Sequence, residues 1–153
     1  MNPADTDMPR TRTGDPTSEA IRRARTFWEQ SQTDLKEARR RMRAKSYLDS
    51  SFLSFQASIN ALTSVCYLHG EYRVPNHSTA RLAALLQGFD DHFEPVQAPA
   101  QALEAVQELN PYAAERDETE ERRISRVHYD HSDSILKSVR RYLKIHRRRF
   151  FAP

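Results

Sequence analysis

The sequence predicts an all-α protein, a four- to five-helix up-and-down bundle. Apolar residues recur at spacings of three and four along most of the chain, which gathers them on one face of a helix. Only three glycines occur in 153 residues, and no convincing run alternates apolar with polar positions, so little room is left for a sheet. Gly70, Pro75, Pro95, Pro99 and Pro111 punctuate the periodic stretches.

Residues 1–15 are rich in Pro, Asp and Thr without an apolar period, and are predicted to be a disordered tail ahead of one helical domain over residues 16–150. Asp15 followed by Pro16 reads as a helix start, with Glu19 favouring the first turn. Ile21, Trp28, Leu35 and Met42 then recur every seven residues, with Ala24 and Ala38 between them, a narrow stripe for packing along one neighbour. A second helix is predicted from about Tyr47 to His69, where Leu48, Phe52, Phe55, Ile59, Leu62 and Cys66 give the cleanest period and Gly70 the stop. A third starts near Ser78, whose side chain can cap it, puts Leu82, Leu85, Leu86, Phe89 and Phe93 inward, and ends at Pro95. Pro99 opens a shorter helix with Leu103, Val106 and Leu109, closed by Asn110 and Pro111. The acidic block that follows has no sustained period. The last helix is expected to begin near Ser132 or Asp133 and to bury Ile135, Leu136, Val139, Tyr142 and Leu143.

Composition narrows the function classes. Cys66 is the only cysteine, so neither an internal disulfide nor a thiolate metal cluster can form within one chain, and a small buried hydrophobe is its expected role. No glycine-rich phosphate loop, His-Glu-x-x-His pair or nucleophile elbow occurs. His128 and His131, with Asp130 between them, make half a metal site at most, and no third ligand follows from spacing; neither a metal nor a cofactor is expected. His69 and His77 flank the second link, where an imidazole commonly satisfies a cap or turn. No apolar run is long enough for a membrane span, and Arg10 and Arg12 have no apolar segment behind them, so a cytoplasmic protein is expected. Net charge is +3 but uneven: Arg22 to Lys45 is strongly basic, Lys137 to Arg149 holds no acid, and Glu115 to Glu121 is acidic. The acidic block either neutralises a basic face or leaves it to a polyanion.

From Tyr47 through the helix bearing Phe52, Phe55 and Ile59, then Val74-Pro75-Asn76-His77-Ser78 and a Leu-rich third helix, the chain resembles the HEPN family. The shared landmarks are a long first helix, a group like Lys45-Ser46-Tyr47 entering the second, a Pro-x-His before the third and another long helix at the end. Over roughly Ile21 to Arg148 the resemblance implies a small helical bundle, a homodimer whose interface involves the last helix, and association with RNA or nucleotides. Many members are metal-independent endoribonucleases of toxin or defence systems, with an arginine followed four to six residues later by a histidine. Arg123 with His128 fits that spacing, as do Arg122 with His128, Arg126 with His131, and Arg140 or Arg141 with His146. The resemblance makes Arg123 and His128 the catalytic candidates and Arg141 and His146 the alternative pair. In such a pair the imidazole takes the proton from a ribose 2′-hydroxyl while the guanidinium stabilises phosphorane charge.

Arg140, Lys144, Arg147, Arg148 and Arg149 are the candidate RNA-backbone contacts. Tyr129 resembles the tyrosine that a partner nucleotidyltransferase modifies in related toxins, one residue out of register, which names a cognate nucleotidyltransferase antitoxin among the expected partners. Arg123 is followed by Ile124 and Arg141 by Tyr142, where the family usually carries a polar residue. That departure keeps a second class open: a non-catalytic helical module that binds RNA, a nucleotide or a protein partner such as a nucleotidyltransferase. A purely structural dimerisation bundle is the third.

Overall fold

The computed structural model describes residues 16–109 and 117–146, and in them the chain is all-helical. Five α-helices are present among these residues: α1 (Ser18–Arg43), α2 (Tyr47–Leu68), α3 (Thr79–Gln87), α4 (Gln97–Leu103) and α5 (Glu118–His146). Two 3-10 segments, Asp91–Val96 and Glu104–Glu108, flank α4. The predicted tail, and with it Asp15, lies outside the described residues.

Helix α1 is capped by Thr17 rather than by Asp15. The Thr17 hydroxyl accepts the Ala20 amide at 3.0 Å, and Glu19 occupies the first turn. The heptad stripe is present with a refinement. Ala24, Ser31 and Ala38 are fully buried, whereas of the large residues Trp28 is buried and Ile21 and Leu35 only partly so. Small side chains at the seam let α2 lie close. Ser50 on α2 donates to the Ala38 carbonyl at 2.7 Å, Asn60 reaches Asp34, and the Tyr67 ring packs tilted against Phe27, centroids 5.0 Å apart. These pairs advance in opposite directions along the two helices, so α1 and α2 are antiparallel.

The turns ending α1 and α2 share one geometry. Glu71 N donates to the Cys66 carbonyl and Gly70 N to that of Tyr67; Ser46 N donates to the Arg41 carbonyl and Lys45 N to that of Met42. Both are Schellman closures, which need a left-handed residue after the cap. Gly70 meets this at φ 75°, while Lys45 does so at φ 63° despite its Cβ. Every residue from Ala57 to Cys66 is buried, because α2 is the central helix and meets α1, α3 and α5 on different sides.

Ser78 caps α3 as expected, its hydroxyl accepting the Arg81 amide. Glu104 Oε1 adds a second lock, accepting from Ser78 Oγ at 2.6 Å and from Ala80 N at 2.8 Å. The third helix is shorter than its pattern implied. It ends at Gln87, and Pro95 lies inside the following 3-10 turn, which carries Phe93 into the core with no exposed surface. Phe89 is outside, 43% exposed, and Phe52 on α2 is 40% exposed, although periodicity placed both inward. Pro99 falls within the first turn of α4, which starts at Gln97.

The largest correction is α5. It begins at Glu118, not near Ser132, so most of the acidic block forms its first turn, where carboxylates complement exposed amides. Asp117 anchors it, accepting the Glu120 amide at 2.8 Å. The buried positions of the early turns are Ser125, His128 and Ser132, an inward stripe without hydrophobes. His128 and Ser132 meet a serine face of α2. Ser132 donates to the Ser54 carbonyl at 2.7 Å, Ser58 to Ser132 at 2.8 Å, and His128 Nδ1 shares a 2.8 Å hydrogen bond with Ser51 Oγ. Further along, His69 meets Tyr142. These pairs advance together, so α5 is parallel to α2, with α3 and α4 making the return between them. No helix of the described residues is long and apolar enough to cross a membrane.

Candidate binding groove and the predicted catalytic pairs

Arg123 and His128 lie five residues apart on one continuous helix, which sets their directions about 140° apart. Arg123 is exposed. His128 is 5% exposed and turned onto Ser51 of α2. Burial, with a smaller contribution from His131, pushes the imidazole down to about 4. At neutral pH it is therefore an uncharged, weakly basic ring inside a seam, poorly placed to take a proton from a bound ribose. Arg122 is engaged as well: its Nε donates to the Tyr47 hydroxyl at 3.1 Å and its other end pairs with Glu118.

The alternative pair sits at the opposite end of α5. Arg141 and His146 are both exposed, and the His146 ring stacks on Tyr142 at 4.7 Å. Around Tyr142 the fold assembles a cluster that sequence spacing does not disclose. His69 Nε2 and the Tyr142 hydroxyl are 2.8 Å apart, His92 Nε2 lies 2.9 Å from the Ser138 carbonyl, and Phe89 stacks on His69 at 4.9 Å. His69, expected to serve a turn, is the C-cap residue of α2 and sends its ring to α5 instead of leaving it at the turn. Among the described residues, no three His, Cys, Asp or Glu side chains converge to hold a metal. The buried Cys66 thiol is pushed up to about 12 by desolvation and by the charge of Glu71, so it is no nucleophile.

An open concavity runs between α1 and α5, lined by residues of these two helices alone. It is about 960 Å³ and is lined by Leu35, Leu136 and Tyr129 with Lys36, Arg39, Lys137 and Arg140 on its rims. Two acids, Glu29 and Asp133, also line it, and Asp133 pairs with Lys137 at 2.8 Å. Lys36, Arg39 and Arg140 form no ion pair among the described residues, and the Arg140 guanidinium lies 5.7 Å from the Trp28 ring centroid. Two of the predicted residues thus meet here: Tyr129, partly buried, and Arg140, exposed. Lys144 is exposed one turn beyond, and Arg147, Arg148 and Arg149 lie outside the described residues.

Lys36 and Arg39 belonged to the basic Arg22–Lys45 stretch but were not among the predicted site residues; both follow Leu35, the stripe position left partly open. Leu35 reads as core in a heptad, and only the position of α5 reveals it as the floor of a groove. Phe52 and Val127 form a second exposed feature. Ser50, one step before Ser51, faces α1, and so does Tyr129, one step after His128. Phe52 and Val127, one step the other way, turn together to the side away from α1, and each is about 40% exposed. Comparisons with family models, with curated proteins and with solved structures give no match to this chain.

Proposed function

We propose that the protein is a non-catalytic, HEPN-like helical interaction module that receives an anionic partner in the groove between α1 and α5. The observation that carries this reading is one open concavity in which Leu35 and Leu136 lie beside Lys36, Arg39 and Arg140, three cations without an ion pair among the described residues. The burial of His128 supports the non-catalytic half. Self-association belongs to the same proposal, and Phe52 with Val127 is the face assigned to it.

A second reading, a metal-independent endoribonuclease, is favoured by one observation: Arg141 and His146 are both at the surface on a stretch without acids. The two readings separate in one assay. Purified protein is incubated with single-stranded RNA in EDTA, alongside His146→Ala and His128→Ala variants of unchanged helicity. The module reading expects intact RNA throughout. Cleavage by the wild type that disappears in His146→Ala replaces it with the ribonuclease reading.

A further inference from the structure

We infer that the occupant of the α1–α5 groove is an acidic amphipathic helix of a partner protein; the inference rests on the interaction-module reading and names its partner. Length, floor and charge each bear on the choice. From Glu29 to Arg39 the groove follows α1 for about 15 Å, the length of roughly ten helical residues. Its axis is bounded by two antiparallel helices, since Arg140 late on α5 lies over Trp28 early on α1. A third helix laid between two such ridges completes a bundle, with side chains at i, i+3, i+4 and i+7 entering the floor.

The floor supplies what those anchors need. Leu35 and Leu136 come from opposite walls, and the Tyr129 ring lies beside them. A phosphodiester strand would leave the partly open Leu35 uncovered and would run past Glu29, which repels it. A helix distributes its charges instead of carrying one on every unit. Its carboxylates can oppose Lys36 and Arg39 on one rim and Arg140 on the other while a basic or neutral residue faces Glu29. Cations on both rims therefore specify acids on both flanks of the apolar stripe.

The test uses a synthetic helical peptide of about sixteen residues with leucines at i, i+3, i+4 and i+7 and glutamates on both flanks. Two control peptides replace the leucines by serine or the glutamates by lysine. Binding to the full chain is followed by fluorescence anisotropy at low salt, against Lys36→Glu/Arg39→Glu and, as a surface control, Arg81→Glu, each checked for helicity. The inference expects the acidic peptide to bind, with affinity falling about tenfold or more in the double variant and unchanged in Arg81→Glu. Both control peptides should be weaker by a similar factor. Equal binding of the serine peptide would mean charge alone is read, and overturns the helix. Should single-stranded RNA bind and lose affinity in the double variant while the peptide does not, the partner is wrong but the anion-binding groove stands. If neither binds, both fall.

Discussion

His128 illustrates how burial changes a residue's chemistry without changing its spacing. Its imidazole titrates near 4 when folded against an ordinary value of 6.5, so the unfolded chain takes the proton first as pH falls. The stabilising contribution is whole above about pH 6.5 and is lost progressively down to about pH 4, by at most about 3 kcal/mol. Urea midpoints at pH 7 and pH 4.5 should therefore diverge more in the wild type than in His128→Asn, which keeps a polar atom toward Ser51 but does not titrate. Equal divergence would place His128 in solvent. Lys45 offers a second test. Its left-handed backbone costs a Cβ-bearing residue about 1 kcal/mol, and the ion pair it makes with Glu118 is exposed and contributes little. Lys45→Gly should raise the urea midpoint, and a lower one would show that the pair outweighs the strain. The sequence started the second helix near Tyr47 but gave no sign of the left-handed residue before it, because the usual glycine is missing there.

At the scale of elements, legibility followed the chemistry of the buried stripe. Helices α1, α2 and α3 announce themselves through leucine, tryptophan and alanine at helical spacing, and the second half of α5 does so through Ile135, Val139 and Leu143. The first half was invisible because its inward residues are Ser125, His128 and Ser132; His128 bonds Ser51, and Ser132 bonds the Ser54 carbonyl and Ser58 on α2. Such a seam is built from small groups and shared hydrogen bonds, not hydrophobic area. Ser58→Leu should overpack it and cost about 1–3 kcal/mol, measured by chemical denaturation. Amides between residues 122 and 132 should exchange slowly with solvent; fast exchange there would return the helix start to Ser132. Phe52 and Phe55 give the converse lesson. Both obey the period, but Phe52 is left 40% exposed whereas Phe55 packs against the core. Phe55→Ala should cost about 2–3 kcal/mol, and Phe52→Ala less than about 0.5 kcal/mol.

At the scale of the molecule, the all-α bundle could be read from composition and period, whereas the groove could not. It depends on α1 and α5, distant in sequence, both packing on α2 while leaving a space between them. Basic residues near Arg22 to Lys45 and beyond Lys137 stood out separately; that Lys36, Arg39 and Arg140 line one groove with Leu35 and Leu136 is a property of the fold. The proposed self-association makes its own prediction. Sedimentation at micromolar concentration should show a dimer that Phe52→Asp/Val127→Asp dissociates; a monomeric wild type would remove that part of the proposal. The groove is tested most directly by titrating isotope-labelled protein with the acidic helical peptide or single-stranded RNA and following backbone amide resonances. Shifts concentrated over residues 29–39 of α1 and 129–140 of α5 are the predicted result. Shifts centred on Arg123 and His128, or on Arg141 to His146, would contradict it.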